Sequence, residues 1–269
     1  MRRNDLLRLR ISFALTVLSV SPAAFGFGPT AHQAVGAEAV EALPGGLKSF
    51  YKAHRLEMNT LALEPTFPDE GIERRFPIDR VLPFPFLDLE LSEKEYVAHR
   101  GESPGRLPWL IQESYARLVE AFRAKDKAKI LEESDVLLGL VADFNNPLAV
   151  TDNADGQKTE MHGLFARFSV KLPEAMQRRL KLDAEAARFL DAPDRQILWM
   201  LVGTYVWVDN LLYAEALAKR GQTGYGERYF EALEARAGPV LKNRLAQAAT
   251  DAASYWYTAW TNAGRPELK

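Results

Sequence analysis

The chain has 269 residues, with 34 lysines and arginines against 36 aspartates and glutamates, and no cysteine. A formal net charge of −2 gives no general attraction to nucleic acid or to an anionic membrane, so any such partner has to be bound locally. Without cysteine there is no disulfide, and the chain must be held by its own hydrophobic core, which this length can supply as one domain.

In chain order, Arg2, Arg3, Arg8 and Arg10 precede an apolar run, ISFALTVLSV, from Ile11 to Val20. A charged start and a short apolar centre are the pattern of an export signal, too short for a lasting membrane span. Pro22 ends the run and argues against a core helix there, and Arg2 and Arg3 lack the fuller pattern of a folded-export signal. Ala24 and Gly26 occupy the −3 and −1 positions of a cut before Phe27, and a cut after Ala23 is the rival. Residues 1–26 are therefore expected to be a cleaved signal peptide and residues 27–269 one domain, exported to a bacterial periplasm or beyond. Loss of four arginines and one aspartate with the leader takes the net charge from −2 to −5.

After the leader, Gly28 and Pro29 predict the start of a first helix with His32 on its early turns. From about Glu64 to Gly105 the sequence is rich in proline, including FPID and LPFPFLD, and keeps no period, which predicts a long ordered loop. Leu110, Tyr115, Leu118 and Phe122 then trace one helical stripe, and Ile130, Ser134, Leu137, Leu138, Val141 and Phe144 trace another that ends before Pro147. After the helix-start signal DAPD at 191–194, the apolar run from Ile197 to Val208 predicts a central core helix. The last long helix carries Leu241, Leu245, Ala248, Ala252, Tyr255 and Ala259 on one face and closes at Gly264 and Pro266. No alternating strand pattern persists, so the predicted fold is all-α, a single-domain multi-helix bundle.

Candidate chemistry begins with four histidines. His54 and His99 stand in AHRLE and AHRGE, which read as solvated. His32 follows the expected new chain end by five residues. The α-amine of Phe27, with an ordinary pKa of about 8, yields its proton to a metal at modest cost, and the neighbouring carbonyl can chelate the same ion. A second cluster spans 137–168, where Asp143 is expected on the polar side of an apolar helix, followed by Asn145, Asn146, Asp152, Asp155 and His162. A calcium loop fails in its best register, because Thr151 would take the first ligand position and His162 the last. The aromatic ending Tyr255, Trp256, Tyr257 and Trp260 reads first as packing and second as a surface for stacking on bases or touching lipid.

An aromatic-Gly-Pro start followed by His32, a proline-rich loop ending FPIDR, a helix ending ADFNNPLAV, a TDNADGQKT loop, MHGLF and the ending SYWYTAWTNAGRP together resemble the zinc-dependent phospholipase C and single-strand nuclease superfamily. The resemblance covers nearly the whole chain after residue 26. It implies an all-α fold of that type, an N-terminal aromatic residue bound to zinc through its amine and carbonyl, and three clustered zinc ions that activate water for attack on a phosphodiester.

Residue by residue, Phe27 stands for the family's N-terminal tryptophan, and His32 and Asp143 match ligands of the same zinc. His162 matches the histidine of the last ligand pair. Other positions depart from the pattern: Gly139, Ala149 and Ala166 stand where the family has metal ligands, and EPTFPDEGIERRFPID lacks a histidine. Glu64 or Asp69 is the nearest replacement for the aspartate of that stretch. Two of the three sites thus lack a workable ligand count. The expectation is one zinc rather than three, or none, held by Phe27, His32 and Asp143, with His162 left over from another site.

This implies a phospholipase C/nuclease-like protein whose catalysis is lost or altered. The first alternative is an active phosphodiesterase in which Asp143 serves the one retained metal, Glu64, Asp69, Asp152 or Asp155 substitute as ligands, and Arg74 and Arg75 hold the substrate phosphate. The second is a non-catalytic exported binding or interaction protein. Phospholipid head groups and single-stranded nucleic acid are the two substrate or partner classes implied.

Overall fold

The computed structural model describes residues 26–55, 75–76, 78 and 106–268. The expected leader before Gly26 and most of the proline-rich stretch, with Glu64, Asp69, Arg74 and His99, lie outside the described residues.

The elements are α1 (Pro29–Ala42), α2 (Gly45–Ala53), α3 (Leu107–Ala124) and α4 (Lys127–Phe144), followed by a 3-10 turn at Pro147–Ala149. The next element, α5, joins Leu164–Ala166, a π-helical turn at Arg167–Lys171 and Leu172–Met176. Then come α6 (Pro193–Tyr205), α7 (Val208–Lys219) and α8 (Glu227–Asn262). No strand occurs among the described residues, and the fold is all-α.

Local chemistry sets several boundaries. Pro29 opens α1, where a missing N–H costs nothing. The Asp126 carboxylate caps α4 by accepting from Lys129 N at 3.1 Å. Downstream, α4 stops at Asn145, and the Asn146 side chain accepts from Leu148 N at 3.1 Å to start the turn at Pro147.

The 36-residue α8, about 54 Å long, is the spine. Helices α1, α3, α4, α7 and the last part of α5 all pack on it. The six α8 residues of the predicted stripe are buried, as are the six of α4. In α3 the fully buried line is Leu107, Ile111, Ser114, Leu118 and Phe122, which leaves Leu110 and Tyr115 only partly covered.

The aromatic ending is packing. Trp256 is buried, stacks on Tyr51 with ring centroids 4.7 Å apart, and donates from Nε1 to Ser134 O at 3.1 Å. Trp260 Nε1 donates to Pro266 O at 3.0 Å.

The run from Ile197 to Val208 is not one central core helix. It breaks at Val206 and Trp207, and Trp199 and Val206 are each 56% exposed. Only Ile197, Met200, Leu201 and Thr204 of α6, spaced three, one and three apart, face inward with Gln196. Across α6 and α7 the span Pro193–Lys219 is long and apolar enough to cross a membrane by length and composition, yet its inner side packs on the bundle.

The segment 181–190 sets local propensity against tertiary bonds. KLDAEAARFL is rich in helix formers, yet it runs without regular secondary structure along α8. Glu185 N donates to Thr250 Oγ1 at 3.0 Å, Arg188 N to Ser254 Oγ at 3.2 Å and Leu190 N to Thr258 Oγ1 at 2.9 Å. Those hydroxyls recur every four residues on one face of α8, and each donates its own proton to the carbonyl four residues back. On the other side, Ala187 N donates to Ala42 O at 2.9 Å. Tertiary hydrogen bonds therefore override local helix propensity. Thr258→Ala removes the acceptor of the buried Leu190 N–H and should cost about 1–3 kcal/mol in chemical denaturation, the usual loss when a buried N–H is left without an acceptor.

Asp251, on the same helix, is 2% exposed and accepts from Asn145 Nδ2 at 3.3 Å, Gln196 Nε2 at 3.1 Å and Gln247 Nε2 at 3.2 Å. Burial pushes its carboxyl up to about 6 against those hydrogen bonds and the fields of Arg244 and Arg188. The folded chain therefore holds this proton more tightly than the unfolded chain does. Stability from this group is greatest below pH 4 and falls as pH rises to about 6, by roughly 2–3 kcal/mol. Asp251→Asn should flatten that slope in melting curves taken from pH 4 to 7, and an unchanged slope would place the titration elsewhere.

Candidate functional site

Asp143 lies in the last turn of α4, and its side chain has no exposed surface. It is not on a polar face, as expected from the sequence, because the segment ahead of α1 covers it. Phe27 N donates to Asp143 Oδ1 at 2.8 Å, and His32 Nε2 is hydrogen-bonded to the same oxygen at 2.9 Å. The structure thus brings together Phe27, His32 and Asp143 from positions 116 and 111 residues apart in sequence.

Three further contacts fix this segment. The Phe27 ring packs against Phe168 with centroids 6.3 Å apart, Gly28 N donates to Ser169 O at 2.9 Å, and Asn146 Nδ2 donates to Ser169 Oγ at 2.8 Å. Phe168 and Ser169 belong to the π-helical turn of α5, a local distortion that breaks the usual helical bonding. Gly26 lies against Asp143: a Cβ built on it would fall 2.5 Å from both Cγ and Oδ2, so no residue with a side chain fits there without movement.

A chain cut ahead of Phe27, the start expected from the sequence, would offer a metal the Phe27 amine and carbonyl, His32 Nε2 and Asp143. These number four, the count of a closed zinc site. Two ligands each 2.0–2.1 Å from a tetrahedral zinc stand about 3.3 Å apart, so His32 and Asp143 would part by a few tenths of an ångström to admit one. The space filled by Gly26 adjoins both carboxylate oxygens. One zinc here would need the backbone donors of Phe27 to complete its ligands: among the described residues, no group of three or more His, Cys, Asp or Glu side chains is placed to hold a metal.

His162 is not part of such a group; its side chain is exposed and its carbonyl accepts from Arg167 Nη1 at 2.7 Å. Arg75 Nη2 donates to Thr151 O at 2.8 Å, which ties the FPID segment to the loop after α4. Phe76 N and Ile78 N extend that tie to Ala149 O and Val150 O at 2.9 and 3.1 Å. Of the proposed substitute ligands, Asp152 pairs with Lys158, and Asp155 accepts from Gly163 N at 2.9 Å and Phe165 N at 3.1 Å. Both carboxylates are committed to holding their own loop.

Sequence reasoning missed Arg167, which follows Ala166 and is 5% exposed. Its guanidinium donates to Glu215 Oε1 at 2.7 Å, to Tyr229 Oη at 3.0 Å and to Met161 O at 2.8 Å, and lies 3.8 Å from the centroid of the Tyr225 ring. Burial, then the Glu215 carboxylate, pushes the Tyr229 phenol well above its ordinary range. Gly163 has φ 81° and abuts Arg167 Nη1, so glycine suits both the backbone and the space there. No sequence signal marked this arginine, since its partners lie 48 and 62 residues away.

Compared with known proteins, the chain matches no family model and no curated sequence.

Arg167→Met leaves the fully buried Glu215 without its cation and should lower stability by about 3–5 kcal/mol. Adding Glu215→Gln to that variant should recover most of the loss in a urea titration, whereas additive losses would show that the pair is not the stabilising contact.

Proposed function

We propose that the chain is an exported relative of zinc-dependent phospholipases C and single-strand nucleases, with a metal cluster reduced to one zinc or none and phosphodiester hydrolysis lost or strongly altered. The carrying observation is the convergence of Phe27 N and His32 Nε2 on buried Asp143 at 2.8 and 2.9 Å. These are the residues that the resemblance assigns to one zinc. Gly139, Ala149 and Ala166 offer no metal-binding side chain, and Asp152 and Asp155 already bind their own loop.

When bound, a zinc here would supply Lewis acidity to a water. The chain's own residues hold the site: without metal Asp143 fixes the His32 ring through Nε2, and the π-helical turn holds Phe27 through Gly28 N and the Phe168 ring. A lone ion lacks the neighbouring charges that would neutralise the attacking and leaving oxygens together.

A second reading keeps activity with the single metal. His32 borders a cleft of about 570 Å³ between α1, α2 and α4, with Gln33, Tyr51 and Leu138 among its lining, where Lys52 and Arg55 stand with Glu38, Glu41 and Asp135 and Lys52 pairs with Glu41 at 2.8 Å. That volume admits a phosphodiester of a phospholipid head group or of single-stranded nucleic acid.

Metal analysis of the exported protein, with hydrolysis of bis-p-nitrophenyl phosphate measured beside it, tests both. One zinc or none per chain and no turnover is the expected result. One zinc with turnover would select the second reading, and three zincs with turnover would overturn the proposal.

A further inference from the structure

We propose that leader removal at the Gly26–Phe27 bond creates a terminal ammonium that forms a buried ion pair with Asp143, so that processing itself completes this part of the core without a metal. The inference rests on the export reading for the cut and on the geometry at Asp143 for its consequence.

The position of Phe27 N is set from its C-terminal side. Phe27 is 4% exposed with its ring on Phe168, Gly28 N is bonded to Ser169 O, and α1 begins at Pro29. None of these contacts involves residue 26, so cutting ahead of Phe27 leaves the nitrogen 2.8 Å from Asp143 Oδ1. Hydrolysis adds one water across the C–N bond. The Gly26 carbonyl carbon takes the oxygen and leaves as a carboxylate with the leader, while the nitrogen gains protons and becomes an ammonium.

A neutral amide with one N–H thus becomes a cation with three N–H groups, opposite a carboxylate with no exposed surface. Charge-assisted hydrogen bonds of this kind are shorter and stronger than those of an amide. The fit of Gly26 adds a second constraint. Its Cα lies so close that a side chain would enter the carboxylate, and its departure opens room beside Oδ2 for the new N–H groups. Glycine at this position therefore suits both the peptidase pocket and the folded precursor.

The test compares two proteins released from fusions by a protease, one beginning at Phe27 and one at Gly26, both with chelator present. The Phe27 form should melt roughly 5–10 °C higher. Its terminal amine should also resist an acylating reagent that labels the Gly26 form within the same time. Asp143→Asn should erase both differences, and if that variant does not fold, the labelling contrast between the two wild-type forms still decides. Equal melting and equal labelling would overturn the ion pair. N-terminal sequencing of the exported protein separates the two premises: a start other than Phe27 would overturn the processing step while the fusion proteins still report on the pair.

Discussion

A carboxylate without exposed surface needs donors or positive charge, because an unpaired buried ion is worth several kcal/mol of destabilisation. Asp143 meets that demand by drawing in two groups from the start of the domain, the Phe27 nitrogen and the His32 ring. These bonds join the entry of the chain into α1 to the end of α4, beside the π-helical turn that receives Gly28 N. A solvated Asp143 would leave the Phe27 nitrogen without its buried acceptor.

The same short stretch ties down the rest of the bundle. In ADFNN, Asp143 reaches the N-terminal segment, Asn145 Nδ2 reaches Asp251 on α8, and Asn146 Nδ2 reaches Ser169 on α5. Polar side chains at the end of one helix thus meet three different elements. Apolar stripes supply most of the burial but are tolerant of sliding, whereas these directional bonds fix one register. On α8, the hydroxyls of Thr250, Ser254 and Thr258 do the same for the 181–190 segment.

What could be read from the sequence depended on whether a residue's neighbours lie within a few turns. The stripes of α4 and α8 were legible because period and burial coincide. In α3 the stripe held at Leu118 and Phe122 but not at Leu110 and Tyr115, beside which Ile111 and Ser114 face inward instead. Val206 and Trp199 are apolar but exposed, and composition alone assigned their run to the core. The pairing of His32 with Asp143 came from motif order, but the burial of Asp143 did not, since its cover comes from more than 100 residues away. The non-helical course of KLDAEAARFL and the role of Arg167 were illegible for the same reason: hydroxyls and a carboxylate on distant helices decide them.

On the descent proposed above, the persistence of recognisable loops after ligand loss has a physical explanation. A metal cluster holds its loops by bonds to side chains, and removing it would release them. Here each such loop is held by a charge bonded to backbone. Arg75 grips Thr151 O, Asp155 grips Gly163 N and Phe165 N, and Arg167 grips Met161 O and His162 O while pairing with Glu215. Such bonds constrain main-chain course and the residues that permit it, including Gly163, but place no demand on whether residue 149 or 166 can ligate a metal. Ligands can then be lost one at a time while the loop sequences around them remain under structural constraint. Asp143 differs from positions 149 and 166, because its carboxylate is bonded to the main-chain nitrogen of Phe27 and the fold needs it for that contact.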